Sequence, residues 1–258
     1  MNKPKRHGRS RNTSVDDLIV GLHALGSVLT QRGEDVLELF VQRERDDARV
    51  QAILEQAHAS GITPQFVPRE ALDRLSDGAR HQGVVARCRP APEITLDAVL
   101  QKLSVESADL LVLDGVSDPH NLGACLRSAA AAAVAALIVP KSRAAPLTPI
   151  TRRIASGGAE LIPVCSVANL ARALRQISDF GMPVVGLAGD TTTALFDLDL
   201  RAPTALVIGT EASGLRRLTR EHCDQVAKIP MPGAMESLNM SVATGIALFE
   251  MQRQRRVT

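Results

Sequence analysis

Ile229-Pro-Met-Pro-Gly-Ala-Met-Glu-Ser-Leu-Asn239 runs directly into Met240-Ser-Val-Ala-Thr-Gly-Ile-Ala-Leu-Phe249. A loop rich in Pro, Gly and Met presents two polar side chains, Ser237 and Asn239. It then enters a helical stretch with no charge before Glu250. A charge-free helix is expected to be buried. Ala243, Gly245 and Ala247 leave room for another backbone to approach. The polar pair therefore stands on an apolar, anchored element, as a binding or catalytic site requires. Either residue also suits the N-cap of the helix, so both readings stand at this point.

Upstream, the same rhythm extends back to Ala108. Strands are expected at Leu110–Asp114, Ala136–Pro140, Leu161–Cys165, Pro183–Gly186, Ala205–Gly209 and Val226–Pro230. Helical patterns fall at 119–133, 167–179, 214–222 and 240–253. Near-continuous apolar strands alternating with helices predict an α/β domain with a mostly parallel sheet covered on both faces. Before it, strands at Val36–Val41, Gln65–Val67 and Gly83–Arg87 alternate with helices at 22–30, 47–59 and 69–75. The expected organisation is a basic tail over 1–17 and a small α/β domain over 18–88. A linker over 89–107, punctuated by Pro90 and Pro92, joins it to the larger domain over 108–258. The linker contains a short amphipathic segment, Leu96–Leu103.

Composition narrows the function. The 258 residues carry 30 Lys and Arg against 28 Asp and Glu, a formal net charge of +2. Lys3, Lys5, Arg6, Arg9 and Arg11 crowd one end; Arg253, Arg255 and Arg256 lie near the other. Such basic arms suit a polyanion such as RNA, or they are simply solvated tails. Trp and Tyr are absent and Phe numbers only 5, which disfavours base stacking on aromatic platforms. Cys88, Cys125, Cys165 and Cys223 are scattered without a C-x-x-C pair, which points to reduced, cytosolic thiols. His23, His58, His81 and His222 show no ligand spacing, so no metal is expected. No apolar run is long enough for a membrane span, and the charged start lacks the apolar core of a signal peptide.

The turns locate the site. A dinucleotide-binding sheet would place G-x-G-x-x-G after its first strand, but that turn reads Asp114-Gly-Val-Ser-Asp-Pro-His-Asn-Leu-Gly123. A nicotinamide-dependent oxidoreductase is thereby disfavoured. Glycine-rich turns come later: Gly186-Leu-Ala-Gly189, Gly209-Thr-Glu-Ala-Ser-Gly214 and the loop around Gly233. Each follows a strand at its carboxyl end, where parallel sheets bind ligands. Together they suggest a cofactor gripped mainly by backbone groups. Asp118-Pro119 is a helix-start signal. It puts Asn121 in the first turn and Arg127 about 9 Å further along the same helix. A helix N-terminus beside a guanidinium makes an anion pocket suited to a substrate phosphate. The structural alternative is that Asn121 caps the helix, Arg127 pairs with an acid, and Glu211 and His120 are ordinary loop residues.

Three segments together resemble the SpoU (TrmH-type) RNA 2′-O-ribose methyltransferases of the SPOUT superfamily. They are Asp118-Pro-His-Asn-Leu-Gly-Ala-Cys-Leu-Arg-Ser128, Gly209-Thr-Glu-Ala-Ser-Gly-Leu-Arg-Arg217, and Ile229-Pro-Met through Ser237-Leu-Asn-Met-Ser241. The segment ending Gly78-Ala-Arg-His-Gln-Gly-Val-Val-Ala86 is similar to the family's L30e-like substrate-binding domain. The resemblance implies a SPOUT trefoil-knot domain, S-adenosylmethionine held in the knot, and a homodimer with a shared site. It places cofactor contacts on Gly189, Gly209, Ile229 and Leu238. Catalytic and substrate positions fall on Asn121, Arg127, Glu211, Ser237 and Asn239. Met240 and Glu236 depart from the family's usual residues. The target implied is a guanosine ribose of 23S ribosomal RNA, in the P-loop of the peptidyl-transferase centre, presented as RNA or as an assembling large subunit. A transfer RNA guanosine methyltransferase and a non-catalytic ribosome-assembly factor are the alternatives. The family proposal makes Arg127 the general base. A guanidinium is effectively always protonated, so the expected role here is to clamp the phosphate and stabilise the developing alkoxide.

Overall fold

The computed structural model describes residues 18–103, 108–210 and 213–256. The basic tail and Glu211 lie outside the described residues. Two sheets of four and six strands organise the chain.

The smaller sheet runs β1-β4-β2-β3, from β1 (Leu18–Val20), β2 (Val36–Gln42), β3 (Gln65–Val67) and β4 (Val84–Cys88). The short β1, which the sequence reading did not identify as a strand, pairs antiparallel with β4. Side chains alternate across each strand. Leu39 and Val41 of β2 pack under α1 (Leu22–Arg32) and α2 (Ala48–Ala59), whereas Phe40 meets Leu72 of α3 (Arg69–Leu75) on the opposite face. Asp47 caps α2, accepting from the N–H groups of Arg49 and Val50 at 3.1 and 3.2 Å.

The larger sheet is parallel throughout, ordered β10-β8-β9-β5-β6-β7. Its strands are β5 (Leu110–Leu113), β6 (Ala136–Pro140), β7 (Val164–Val167), β8 (Val184–Leu187), β9 (Ala205–Ile208) and β10 (Gln225–Ala227). One face, with Leu111, Leu113 and Leu206, is covered by α5 (Pro119–Ala131) and α10 (Met240–Arg256). The other, with Leu110, Val112 and Val207, is covered by α4 (Leu96–Lys102) and α8 (Leu170–Asp179). Strand order reverses at β5: β6 and β7 extend one way, β9, β8 and β10 the other. Such a reversal opens a crevice at the carboxyl edge.

The amphipathic segment expected at Leu96–Leu103 forms α4, and its Leu96, Val99 and Leu100 enter the larger core. Three details differ from expectation. The strand expected at Leu161–Cys165 begins at Val164, after α6 (Pro149–Ala155) and α7 (Gly158–Leu161). A left-handed Ser156–Gly157 pair, with φ 54° and 95°, separates these two helices. The helix expected over 214–222 shrinks to α9 (Arg217–Arg220), because Arg216 is held by Asp114 in extended backbone. Finally, α10 is not buried all round: Val242 and Phe249 remain half-exposed on one side.

The domains meet through α1 and α7. Glu160, almost fully buried, accepts from Arg32 of α1 at 2.8 Å and pairs with Arg152 of α6. Burial opposes the charge on Arg32, but the hydrogen bond and charge of Glu160 outweigh it and raise its pKa.

Candidate active site

The carboxyl ends of β8, β9 and β10 surround a cavity of about 230 Å³. Four of its lining residues are Gly189, Gly209, Ile229 and Leu238, and Ser237 joins them at the wall. Leu187, Ile208 and Met240 give it an apolar floor, while Lys228 and Glu236 bring charge to the lining. Sequence reading missed Lys228; its position beside Ile229 was the available signal. Met240, noted as unusual, is buried in the main core as well as lining the cavity.

Gly209 is demanded by close approach. A Cβ there would lie 2.2 Å from the carbonyl carbon of Gly214 and 2.5 Å from the Leu215 nitrogen. That contact comes from a pinch in which Thr210 and Gly214 exchange backbone hydrogen bonds of 3.0 and 2.9 Å. The pinch brings Gly214 and Leu215 back against the end of β9.

Asp114, at the end of β5, fixes the far side of this loop. It is fully buried. Its carboxylate accepts from the Arg216 N–H at 2.7 Å, from Arg216 Nε at 2.7 Å and from the Thr219 hydroxyl at 2.8 Å, with Arg216 Nη2 as a further donor. This clamp went unrecognised in the sequence, although a lone Asp ending an apolar strand was its mark. Arg220 performs a similar service for the loop after β8, donating to Asp190 at 2.6 Å. That hydrogen bond holds the Asp190 carboxyl below its ordinary pKa.

Asn239 and Asn121 meet directly. Asn239 Nδ2 donates to Asn121 Oδ1 at 2.9 Å. The Asn239 oxygen meanwhile accepts from the N–H and hydroxyl of Ser241, at 2.9 and 2.6 Å. Asn239 therefore starts α10 and also ties it to the first turn of α5. Asp118 caps α5 by accepting from the His120 N–H at 2.9 Å. The cap is thus Asp118, and Asn121 is left to face Asn239. Arg127 stands exposed on α5 and, among the described residues, forms no ion pair. Ser237 is exposed at the cavity mouth.

Among the described residues, no group of three or more His, Cys, Asp or Glu side chains is assembled that could hold a metal. No described helix is long and apolar enough to cross a membrane.

Comparison with known proteins agrees with this layout. Residues 109–249 match the SpoU rRNA Methylase family, and residues 18–94 match the RNA 2′-O ribose methyltransferase substrate binding domain. The chain is 51% identical over 245 residues to the 23S rRNA (guanosine-2′-O-)-methyltransferase RlmB of Pasteurella multocida, covering 93% of this chain and 99% of that one. It is 49% identical to the protein of the same name from Haemophilus influenzae, with the same coverage. A solved RNA 2′-O ribose methyltransferase superposes with a TM-score of 0.75 at 28% identity, covering 93% of this chain and 88% of that one. The SpoU methyltransferase AviRb of Streptomyces viridochromogenes, in complex with AdoMet, gives 0.75 at 25% identity, covering 93% and 90%. With one match spanning the larger domain and another the smaller, the chain belongs to the SpoU family of RNA methylases.

Proposed function

We propose that this protein transfers a methyl group from S-adenosylmethionine to the ribose 2′-hydroxyl of a guanosine in 23S ribosomal RNA, in the cytoplasm. The observation that carries the reading is the convergence of three loops on one cavity, with the Asn121–Asn239 bond beside it. The close relatives named for this reaction support the substrate.

The cavity suits the cofactor on its own chemistry. Its floor is apolar, and Gly189 and Gly209, which have no side chain, bring backbone to a lining that Ile229 and Leu238 share. When bound, S-adenosylmethionine supplies an electrophilic methyl on a sulfonium, so the protein's task is alignment and control of one proton. Ser237, at the cavity mouth, is placed to hydrogen-bond ribose. Asn239 and Asn121 lock α5 to α10, and so fix Arg127 relative to the cavity. Arg127 then grips the substrate phosphate and stabilises charge developing on the 2′-oxygen. Glu211, outside the described residues, completes the expected set from the 209–214 loop.

The working unit is a homodimer. Support comes from the apolar stripe of α10, where Val242 and Phe249, 48% and 51% exposed, lie seven residues apart on one side of the helix. A trefoil knot is supported by the return of α10 beneath the cofactor loops to the connection before β9. There Gln254 and Arg255 bind the carbonyls of Leu198 and Arg201. The test is transfer from labelled cofactor to a 23S fragment, followed by mapping of the modified nucleotide. Label confined to transfer RNA, or absent while cofactor binds, would overturn the reading.

A further inference from the structure

The corner between α6 and α7 is wedged between the two domains. It turns through left-handed Ser156 and Gly157, and α7 then packs on α1 of the smaller domain and on α5 of the larger. Both approaches are too close for a side chain. A Cβ added at Gly157 would lie 2.7 Å from Ser27 Oγ and 3.2 Å from the His23 carbonyl oxygen, both on α1. One added at Gly158 would lie 2.7 Å from the Leu126 carbonyl oxygen and 3.1 Å from the Cα of Arg127. Two adjacent residues therefore reach from the smaller domain to the backbone of Arg127, with no side chain of their own to absorb a shift.

A single carboxylate locks this corner. The Glu160 side chain is only 2% exposed, and each of its oxygens takes one guanidinium. Oε2 accepts from Arg32 Nη2 of α1 at 2.8 Å, and Oε1 accepts from Arg152 Nη1 of α6. Arg32 also donates to the Arg89 carbonyl, just past β4, at 3.1 Å. Arg152 Nε is buried and has no hydrogen-bond partner among the described residues. Two cations share one anion, and one donor is left over. As a source of stability such a cluster does no better than apolar side chains of the same volume. What it supplies is direction: charge-assisted hydrogen bonds to both carboxylate oxygens fix how α1, α6 and α7 meet.

We propose that Glu160 and Arg32 are positioning residues for methyl transfer. Their bond sets the smaller domain against the Arg127 backbone, so that RNA held by the smaller domain meets Arg127 and the cofactor cavity in register. Neither residue touches the reacting atoms; the effect runs through Gly158. A close-packed corner passes a displacement of α1 on to α5, and misplacing a reacting group by ~1 Å costs about a hundredfold in rate. This inference rests on the reading that the chain methylates RNA.

Arg32→Met cuts the tie between the domains while Glu160 keeps Arg152, so no buried carboxylate is left bare. The full chain is assayed with labelled cofactor on a 23S rRNA fragment, and the modified nucleotide is mapped. RNA affinity is read by fluorescence anisotropy and cofactor affinity by calorimetry. R32M should lower kcat about tenfold or more, with both affinities within about twofold of wild type. Its label should spread to neighbouring riboses. R32K, which keeps a cationic donor, should recover most of kcat. E160Q keeps the shape and loses the charge; it should behave as R32M does, and it decides the matter if R32M does not fold. Normal kcat in folded R32M or E160Q overturns the proposal. So does a loss of RNA affinity that accounts for the whole loss of rate, which would make Arg32 a substrate contact. A wild-type protein that transfers no methyl group would defeat the functional reading by itself. Hydrogen exchange at 156–161 then judges the tie alone, which stands if R32M exchanges faster there and falls if it does not.

Discussion

Replacing Asp114 by Ala removes the acceptor for four donors on the 214–219 segment. Three belong to Arg216 and one to Thr219. Breaking a buried ion pair by deleting one partner costs roughly 3–5 kcal/mol. Arg216 keeps 34% of its side chain open to water, so its charge recovers part of its solvation. The Arg216 N–H and the hydroxyl of buried Thr219 recover less. The low end, about 3 kcal/mol, is the expected loss. Spread over the whole fold, it would lower the melting temperature by about 6–12 °C. If the loop alone opens, the same energy weakens cofactor binding by about a hundredfold. Asp114→Asn keeps one acceptor oxygen and should lose roughly half as much. Thermal melting and calorimetric titration with S-adenosylmethionine separate the two routes. A D114A protein that melts as wild type and binds cofactor within about twofold would refute the clamp.

Gly209→Ala places a methyl group on the Gly214 backbone, so cofactor binding should vanish while the smaller domain still melts cooperatively; calorimetry and scanning calorimetry check this. Arg127→Lys keeps charge but loses the fork, and should lower kcat at least tenfold; near-normal turnover with an unshifted pH–rate profile would remove both the clamp and the base from Arg127. Burial pushes the thiols of Cys88 and Cys223 up to about 12, so neither should react with a thiolate-selective reagent at pH 8. Because those thiols are raised above a thiol's ordinary value, their contribution to stability is complete below that value and is lost as pH rises from it toward about 12. Alkaline melts should show that decline, and Cys→Ser replacement should flatten it. Deletion of residues 1–13, which lie outside the described residues, should weaken RNA affinity and flatten its salt dependence.

Much of the larger domain was legible because its strands are apolar on both faces. The starts of the β5, β6 and β9 strands agree with the residues expected from hydropathy. Helix starts were legible where an N-cap and Pro coincide, as at Asp118-Pro119. The same signal at Thr148-Pro149 was overlooked, and α6 with it. Other errors arose where distant partners decide. Nothing local to 214–216 says that Asp114 will hold that segment extended. Within the linker the amphipathic pattern of Leu96–Leu103 was legible, but the partners of Leu96, Val99 and Leu100 on β5 and α8 were not. At the site, the backbone-lined cavity could be anticipated from glycine turns after strands. The Asn121–Asn239 bond could not, since 118 residues separate its ends.

The last helix has a consequence for how the molecule comes into being. Arg255 donates to Asp109 at 2.6 and 2.7 Å across 146 residues of chain, joining the final described turn to the strand that opens the domain. Ser237 and Leu238, which help wall the cavity, immediately precede that helix. During synthesis the smaller domain can fold as it emerges, whereas the cofactor cavity must wait for β10 and α10. A nascent or prematurely terminated chain thus carries the domain that matches the substrate-binding family without a completed cofactor cavity. On the proposed function such a fragment would occupy substrate without modifying it, so loss of the last helix should act as a dominant inhibitor rather than as a silent deletion.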